Sequence, residues 1–458
     1  MLRIPALCAL FALAPLAPLA SALELKPLAI YHSGFPAGTE IVSVQGSSMR
    51  VAVSNSEQGL VDLLKLDPGA GLQRIARHQL LKKAEGEITS VAFHPTLDLF
   101  AVCVRDRDGL KNGRVELRAA SDGKLLNSLT VGVWPDSLAF SPNGDFLVVA
   151  NEGEGYVRDG ADFRSGEGSI SLIDLRQGVA QASHRLIGLP DLAGVAGATQ
   201  AEDKRLLERE IDGEELKIPF GTSPAHLEPE YVVFSPDGSR AYVSLQENNA
   251  IAVVDVLKGT LDKVFGLGAV RHAADLSDDG HYAPNAELFA LREPDALAVS
   301  ADGLYVVTAD EGDSDPKAGK TKAGLPSGGG RTVSVFDAMS GQLLGDTGSQ
   351  LDDKAAEAGV YPDQRSPNKG SEPEGVVSFD AFGKRLAVAT LERADALALI
   401  DLDQPQTPKV LQVIAADQGA GQGELAPEGL AHVEQAGRHF LVSGLEKSGN
   451  VVLFELLE

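Results

Sequence analysis

The sequence predicts an all-β fold, a seven-bladed β-propeller closed by its N-terminal strand. Three observations carry that expectation. A strand–turn–strand unit recurs along the chain, a third strand follows each clear copy, and the last copy lacks a strand that the first segment can supply. The clearest copies are Pro135-Asp-Ser-Leu-Ala-Phe-Ser-Pro-Asn-Gly144, Pro229-Glu-Tyr-Val-Val-Phe-Ser-Pro-Asp-Gly238 and Pro294-Asp-Ala-Leu-Ala-Val-Ser-Ala-Asp-Gly303. Asn-Gly or Asp-Gly between apolar runs marks a tight hairpin turn, because glycine supplies the positive φ. Degenerate copies begin at Pro373 and Pro427. Two weaker ones lie upstream, Ile41–Val44 with Met49–Ser54 and Ile88–Pro95 with Leu99–Val104. Third strands are expected at Ser169–Leu175, Ala250–Val256, Arg331–Asp337, Ala396–Leu402 and Asn450–Leu456. With a fourth outer strand, each repeat becomes a blade. The last repeat stops after three, so Leu23–His32 is expected to complete it and remove the open edge.

Met1-Leu2-Arg3, the apolar run Ile4–Leu19 and Ala20-Ser21-Ala22 read as a signal peptide cleaved after Ala22, which leaves 23–458 as one propeller domain. Pro5, Pro15 and Pro18 interrupt that run, and it is short for a membrane span. No later stretch is apolar enough to cross a bilayer. The expectation is a soluble, monomeric, periplasmic or extracellular protein. Cys103 would be its remaining cysteine, a small buried hydrophobe in Leu99–Val104. A formal charge of −25 argues against nucleic acid and anionic membranes as partners, and for cations. Helical patterns are scarce, and Ala201–Ile211 is the best of them. The length beyond seven simple blades of ~40–45 residues is assigned to insertions. These fall at Gly153–Gly168, Ile187–Ser223 and Gly312–Gly330.

Aligning the copies reveals paired acids. Glu40, Asp136, Glu230, Asp295, Glu374 and Glu428 stand at the start of the first strands, with Thr89 in the second blade. Glu57, Asp106, Glu152, Glu247, Glu311, Glu392 and Glu446 stand after the second strands, 16 to 18 residues later. A hairpin returns to the edge where it began, so both acids of a blade share one face. The first set should ring the central channel. Converging carboxylates must be protonated, paired or metal-bound. A divalent metal, calcium first, suits carboxylates beside glycines, as in Asn151-Glu-Gly-Glu154 and Asp310-Glu-Gly-Asp313. The expected ligands are Asp136, Glu152, Glu154, Glu230, Glu247, Asp295, Asp310, Glu311, Asp313, Glu374, Glu392, Glu428 and Glu446. The competing reading is that each acid caps its own blade by accepting backbone N–H groups. No EF-hand pattern, zinc-type histidine spacing or nucleophile signature occurs. His226, Arg393 and Lys447 are the candidates for a catalytic role, and Arg105 and Lys369 are further local bases. His94 reads as structural. The insertions emerge on the acidic face, where loops on a rigid scaffold tend to hold function.

Trp134-Pro-Asp136 with Asn151-Glu-Gly-Glu154, Leu227-Glu-Pro-Glu230 with Gln246-Glu-Asn-Asn249, Asp310-Glu-Gly-Asp313, Lys369-Gly-Ser-Glu-Pro-Glu-Gly375 and Pro427-Glu-Gly429 resemble the choice-of-anchor I family of secreted bacterial propellers. The resemblance covers nearly the whole chain. It differs in one respect, since no C-terminal anchor precedes Glu458. The likeness extends to alkaline-phosphatase-like and phytase-like acidic propellers. It implies a metal-dependent phosphomonoesterase acting on a small phosphoester, with calcium holding phosphate and Arg393 or Lys447 assisting. The alternative is a non-enzymatic periplasmic or cell-surface propeller that binds a small ligand or a protein.

Overall fold

Seven four-stranded antiparallel sheets, six of them meanders and the seventh completed by the N-terminal strand, account for the repeats in the computed structural model. It describes residues 23–153, 156–159, 162–199, 206–211, 214–219, 224–313, 326–416 and 424–458. The expected leader, Met1–Ala22, and Glu154 lie outside them. Blade 1 opens at Val42–Gln45, blade 2 at Glu87–Phe93, blade 3 at Pro135–Phe140 and blade 4 at Pro229–Phe234. Blades 5, 6 and 7 open at Pro294–Val299, Pro373–Ala381 and Pro427–Gln435. The second and third strands are nearly continuous apolar runs, such as Phe146–Asn151 and Ala250–Asp255, and are buried almost throughout. A blade covered on both faces by its neighbours needs that pattern rather than strict alternation.

The ring closes as expected. Glu24–His32 pairs antiparallel with Asn450–Leu457 as the outer strand of blade 7. It also grips both neighbours. Leu25 N donates to Gln412 Oε1 of blade 6 at 2.8 Å, and Tyr31 Oη donates to Asp62 Oδ2 of blade 1 at 2.8 Å.

The inner hairpins are longer than a two-residue turn. Ser141 to Asp145 separate the first two strands of blade 3. Phe146 N donates to Ser141 Oγ at 3.0 Å, and Gly144, at φ 77°, donates to Ser141 O at 2.8 Å. Ser235 with Gly238 and Ser300 with Gly303 repeat the arrangement. The Asn-Gly and Asp-Gly pairs thus mark hairpins, inside loops built around the serine.

Two insertions differ from expectation. Leu206–Ile211 is a strand paired with Glu214–Pro219, so no helix occupies that part of Ala201–Ile211. So short a run, apolar at both ends and charged between, serves a ladder at least as well as a helix face. The α-helix among the described residues is Gln350–Glu357, between blades 5 and 6, with Leu351 and Ala355 buried four positions apart. A hairpin of Ala269–Ala274 and Ala286–Leu291 joins blades 4 and 5. Both segments lie where outer strands cross to the next inner strand, on the acidic face. His94 is structural. Its Nδ1 accepts N–H groups of Thr96 and Leu97 at 3.2 and 3.0 Å. Cys103 is fully buried, and burial pushes its thiol up.

Candidate functional site

The acids reach the channel through a repeated backbone irregularity. In blades 3 to 7 the ladder slips directly after the opening proline, between Pro135/Ser137, Pro229/Val232, Pro294/Leu297, Pro373/Val376 and Pro427/Leu430. Asp136, Glu230, Asp295, Glu374 and Glu428 fall inside these bulges. A bulge releases a residue from the ladder and re-aims its side chain. The residue before the proline has positive φ at Trp134, Glu293, Glu372 and Ala426, between 45° and 61°. Such a backbone is costly outside glycine and persists only where its surroundings impose it. The second acid is tied to this kink. Glu152 N donates to Trp134 O at 2.8 Å, Glu392 N to Glu372 O at 2.8 Å, and Glu446 N to Ala426 O at 2.9 Å. The two acid positions of a blade therefore share one face, as the spacing requires. In blade 2 the slip holds Thr89, whose hydroxyl donates to Pro135 O at 2.6 Å. Glu87, passed over in the alignment, pairs there with Arg105 at 2.5 Å.

The face is not uniform. A cavity of about 520 Å³ opens on one side, over blades 5, 6, 7 and 1. Of the expected ligands, Asp295, Glu311, Glu374, Glu392, Glu428 and Glu446 line it, with Glu40 and both Arg393 and Lys447. Asp136 lines instead a narrower channel of about 320 Å³, which shares Asp295 and Glu428 with the cavity. Glu152, Glu230, Glu247 and Asp313 stand outside the cavity wall. Asp310 is apart as well, fully buried within blade 5. It accepts the hydroxyls of Thr308 at 2.5 Å, Thr332 at 2.6 Å and Ser334, with Arg292 3.7 Å away. His226 sits on the turn Pro224–His226, away from the cavity, and burial lowers its pKa.

Sequence reasoning missed Arg365 and Glu372 and named Lys369 only as a local base. All three come from the segment after the helix Gln350–Glu357 and enter the same wall. Glu372 is 2% exposed and meets Arg365 at 2.6 Å, Lys369 at 3.3 Å and Arg393 at 3.5 Å. Lys369 also pairs with Glu311, which accepts from Gln246 Nε2 at 2.5 Å. Arg393 pairs with Glu392 at 2.9 Å, and Lys447 with Glu446 at 2.8 Å. The motif Lys369–Gly375 was the available signal, since it places a base and two acids within one turn of chain.

These bases do not neutralise the cavity. Burial works against the Glu372 carboxylate, yet Lys369, Arg365 and Arg393 hold it below the usual range. Elsewhere burial wins. It pushes Glu40 and Glu392 up to about 7. Burial, then Glu311 and Asp136, pushes Asp295 up to about 8. Glu374 and Glu428 are held well above the carboxylate range by burial and neighbouring acids. Carboxylate oxygens of Glu311, Glu372 and Glu374 lie within 4.8 Å of one another. This all-oxygen, flexible set fits a hard divalent cation. The ammonium of Lys369 already supplies one positive charge to two of the three.

The choice-of-anchor I domain matches residues 40–327 and 315–405. The chain belongs to the choice-of-anchor I domain family. Membership agrees with an exported protein, and no helix among the described residues is long and apolar enough to cross a membrane. No curated protein matches the sequence. Solved structures share the fold. The β-propeller domain of Myceliophteria thermophila Cps50 (Swd1) is similar at a TM-score of 0.55 and 10% identity, over 95% of this chain and 100% of that one. Hydrazine synthase of Kuenenia stuttgartiensis is similar at a TM-score of 0.57 and 13% identity, over 93% of this chain and 97% of that one. At such identities the likeness concerns architecture alone.

Proposed function

We propose that this family member is an exported, cation-binding propeller whose acidic cavity holds a divalent metal, calcium first, on Glu311, Glu372 and Glu374. The observation that carries the reading is their convergence within 4.8 Å, beside acids that burial and neighbouring carboxylates hold above the usual range. Lys369 is an internal counter-ion that a divalent ion would supplement or displace. The protein works outside the cytoplasm, in the periplasm or at the surface.

A second reading, phosphomonoester hydrolysis, draws support from Arg393 and Lys447 on the same wall. A bound cation would supply Lewis-acid polarisation of a phosphoryl oxygen. Arg393 and Lys447 would orient the remaining phosphate oxygens, and Glu392, raised to about 7, or Glu374, held well above the carboxylate range, would hold the transferable proton.

Metal analysis and calcium titration of purified protein test the first reading. Replacing Glu311 and Glu374 by Gln together should weaken calcium binding in the cavity at least tenfold with the fold unchanged. If calcium, magnesium and manganese all leave the melting curve of chelator-treated protein unmoved, the cavity is a structural ion-pair network. Hydrolysis of p-nitrophenyl phosphate or phytate by metal-supplied protein tests the second, and its complete absence removes it.

A further inference from the structure

We propose that the central channel binds a small organic amine, its ammonium held among Asp136, Asp295 and Glu428 and its apolar tail lying along the inner strands. No metal in the neighbouring cavity is needed for this.

All seven blades wall the channel, whose volume of about 320 Å³ falls in the range of small-molecule pockets. In blade 3 every residue from Asp136 to Pro142 lines it. It therefore follows the length of an inner strand, roughly 20 Å at about 3.3 Å per residue. Asp136, Asp295 and Glu428 stand at one end, where the channel meets the cavity. Pro95, Ser141 and Pro142 belong to loops on the opposite face and line the other end. A ligand can thus enter without crossing the cavity. Val44, Phe140 and Leu430 add apolar wall. A metal ion, which must replace its water with oxygens, gains nothing from such a wall, whereas an alkyl tail does.

The acidic end suits an ammonium better than a metal. Among the described residues, Asp136, Asp295 and Glu428 do not bring three oxygens within 4.8 Å of one another, as Glu311, Glu372 and Glu374 do. One metal ion therefore cannot bridge the three. An ammonium needs only two of them, with oxygens about 2.8 Å from its nitrogen. Asp295 and Glu428 use backbone carbonyls to accept the hydroxyls of Ser244 at 3.2 Å and Thr390 at 3.3 Å. No hydrogen bond or ion pair among the described residues reaches their carboxylates. Tyr231 lines the channel beside them, and the charges of both acids act on its phenol. A phenol next to two carboxylates receives an ammonium through its ring face or its hydroxyl oxygen.

Calorimetric titration of the chelator-stripped full chain with n-pentylammonium chloride tests this. One binding event is expected. n-Pentanol, alike in shape but uncharged, should bind at least tenfold more weakly. From butyl- to hexylammonium the affinity should rise about fourfold per methylene buried. Asp136→Asn and Glu428→Gln should each weaken pentylammonium at least tenfold, and Tyr231→Phe by less. The Glu311→Gln/Glu374→Gln double variant, altered in the cavity alone, should bind the amine as the parent does. Circular dichroism matching the parent shows that each variant folds, and Glu428→Gln carries the test should Asp136→Asn fail to do so. The comparison of amine with alcohol needs no variant. The proposal is overturned if pentylammonium does not bind at millimolar concentration, or if pentanol binds as tightly. It is overturned as well if the cavity double variant loses the amine while Asp136→Asn and Glu428→Gln keep it. Calcium binding that survives in protein deaf to the amine removes this site and leaves the cavity reading intact.

Discussion

At the scale of single residues, Lys369 governs how much of the cavity's charge is met from within. It is the basic partner of Glu311, while Glu372 shares it with Arg365 and Arg393. Removing one partner of a buried ion pair costs about 3–5 kcal/mol, more than an exposed pair contributes. Lys369→Met should lower the denaturant midpoint of calcium-free protein by a free energy of about 3 kcal/mol. The same variant should gain more stability from calcium than the parent does, because the ion then replaces a lost charge. A variant as stable as the parent in chelator would show that solvent already screens the pair. The acids of the cavity were legible as residue types at fixed spacing. Their partners were not. Arg365 and Glu372 belong to an inter-blade segment outside the repeat, and alignment of repeats says nothing about where such a segment lands. The opposite error arose at Asp310. Its sequence neighbours Glu311 and Asp313 suggested a ligand cluster, but strand alternation turns it into the blade, where Thr308, Thr332 and Ser334 accommodate it.

At the scale of elements, the blades were readable because each strand's pattern is local and each turn has its own chemistry. The bulge after the opening proline was not, since a one-residue slip leaves no mark in apolar periodicity. The segment Ala201–Ile211 shows the limit of short patterns, which suit a helix face and a ladder alike. The closing strand allows a direct measurement. Glu24–His32 buries Leu25 and Tyr31 and covers Asn450–Leu457. Each buried side chain of this size contributes roughly 1.5–3 kcal/mol. Deleting Leu23–His32 should therefore cost several kcal/mol and leave an exposed strand edge prone to association. Light scattering and thermal melting of the truncated protein would reveal both effects. A truncated chain that melts with the parent and stays monomeric would rule out closure by this strand.

At the scale of the whole molecule, the acids whose pKa burial raises stand in blades 1, 5, 6 and 7, so stability should follow pH collectively. Unfolded carboxyls titrate near about 4. In the folded chain Glu40 and Glu392 titrate at about 7, and Asp295 at about 8. A group raised on folding gives stability that is complete below its unfolded pKa and lost as pH climbs through its folded one. Chelator-treated protein should be more stable at pH 5 than at pH 8, the loss falling mainly between pH 5 and 8. A carboxyl moved as far as that of Glu392 carries on the order of 3 kcal/mol across this window. Glu372, held low, acts with the opposite sign, below pH 4.5. Denaturant midpoints at those two pH values check the slope, and equal midpoints would mean that water enters the cavity freely. Closure also sets an order in time. His32 and Asn450 touch across 418 residues, so the first strand of the ring to leave the ribosome waits for the last. Contacts of such separation form slowly, after the long loop has been drawn together. Until then blade 7 lacks its outer strand and the ring stands open. A chain threaded N-terminus first through a membrane cannot lock shut behind the pore, because the strand it needs is still inside. Closure is thereby left to the end of synthesis by the topology.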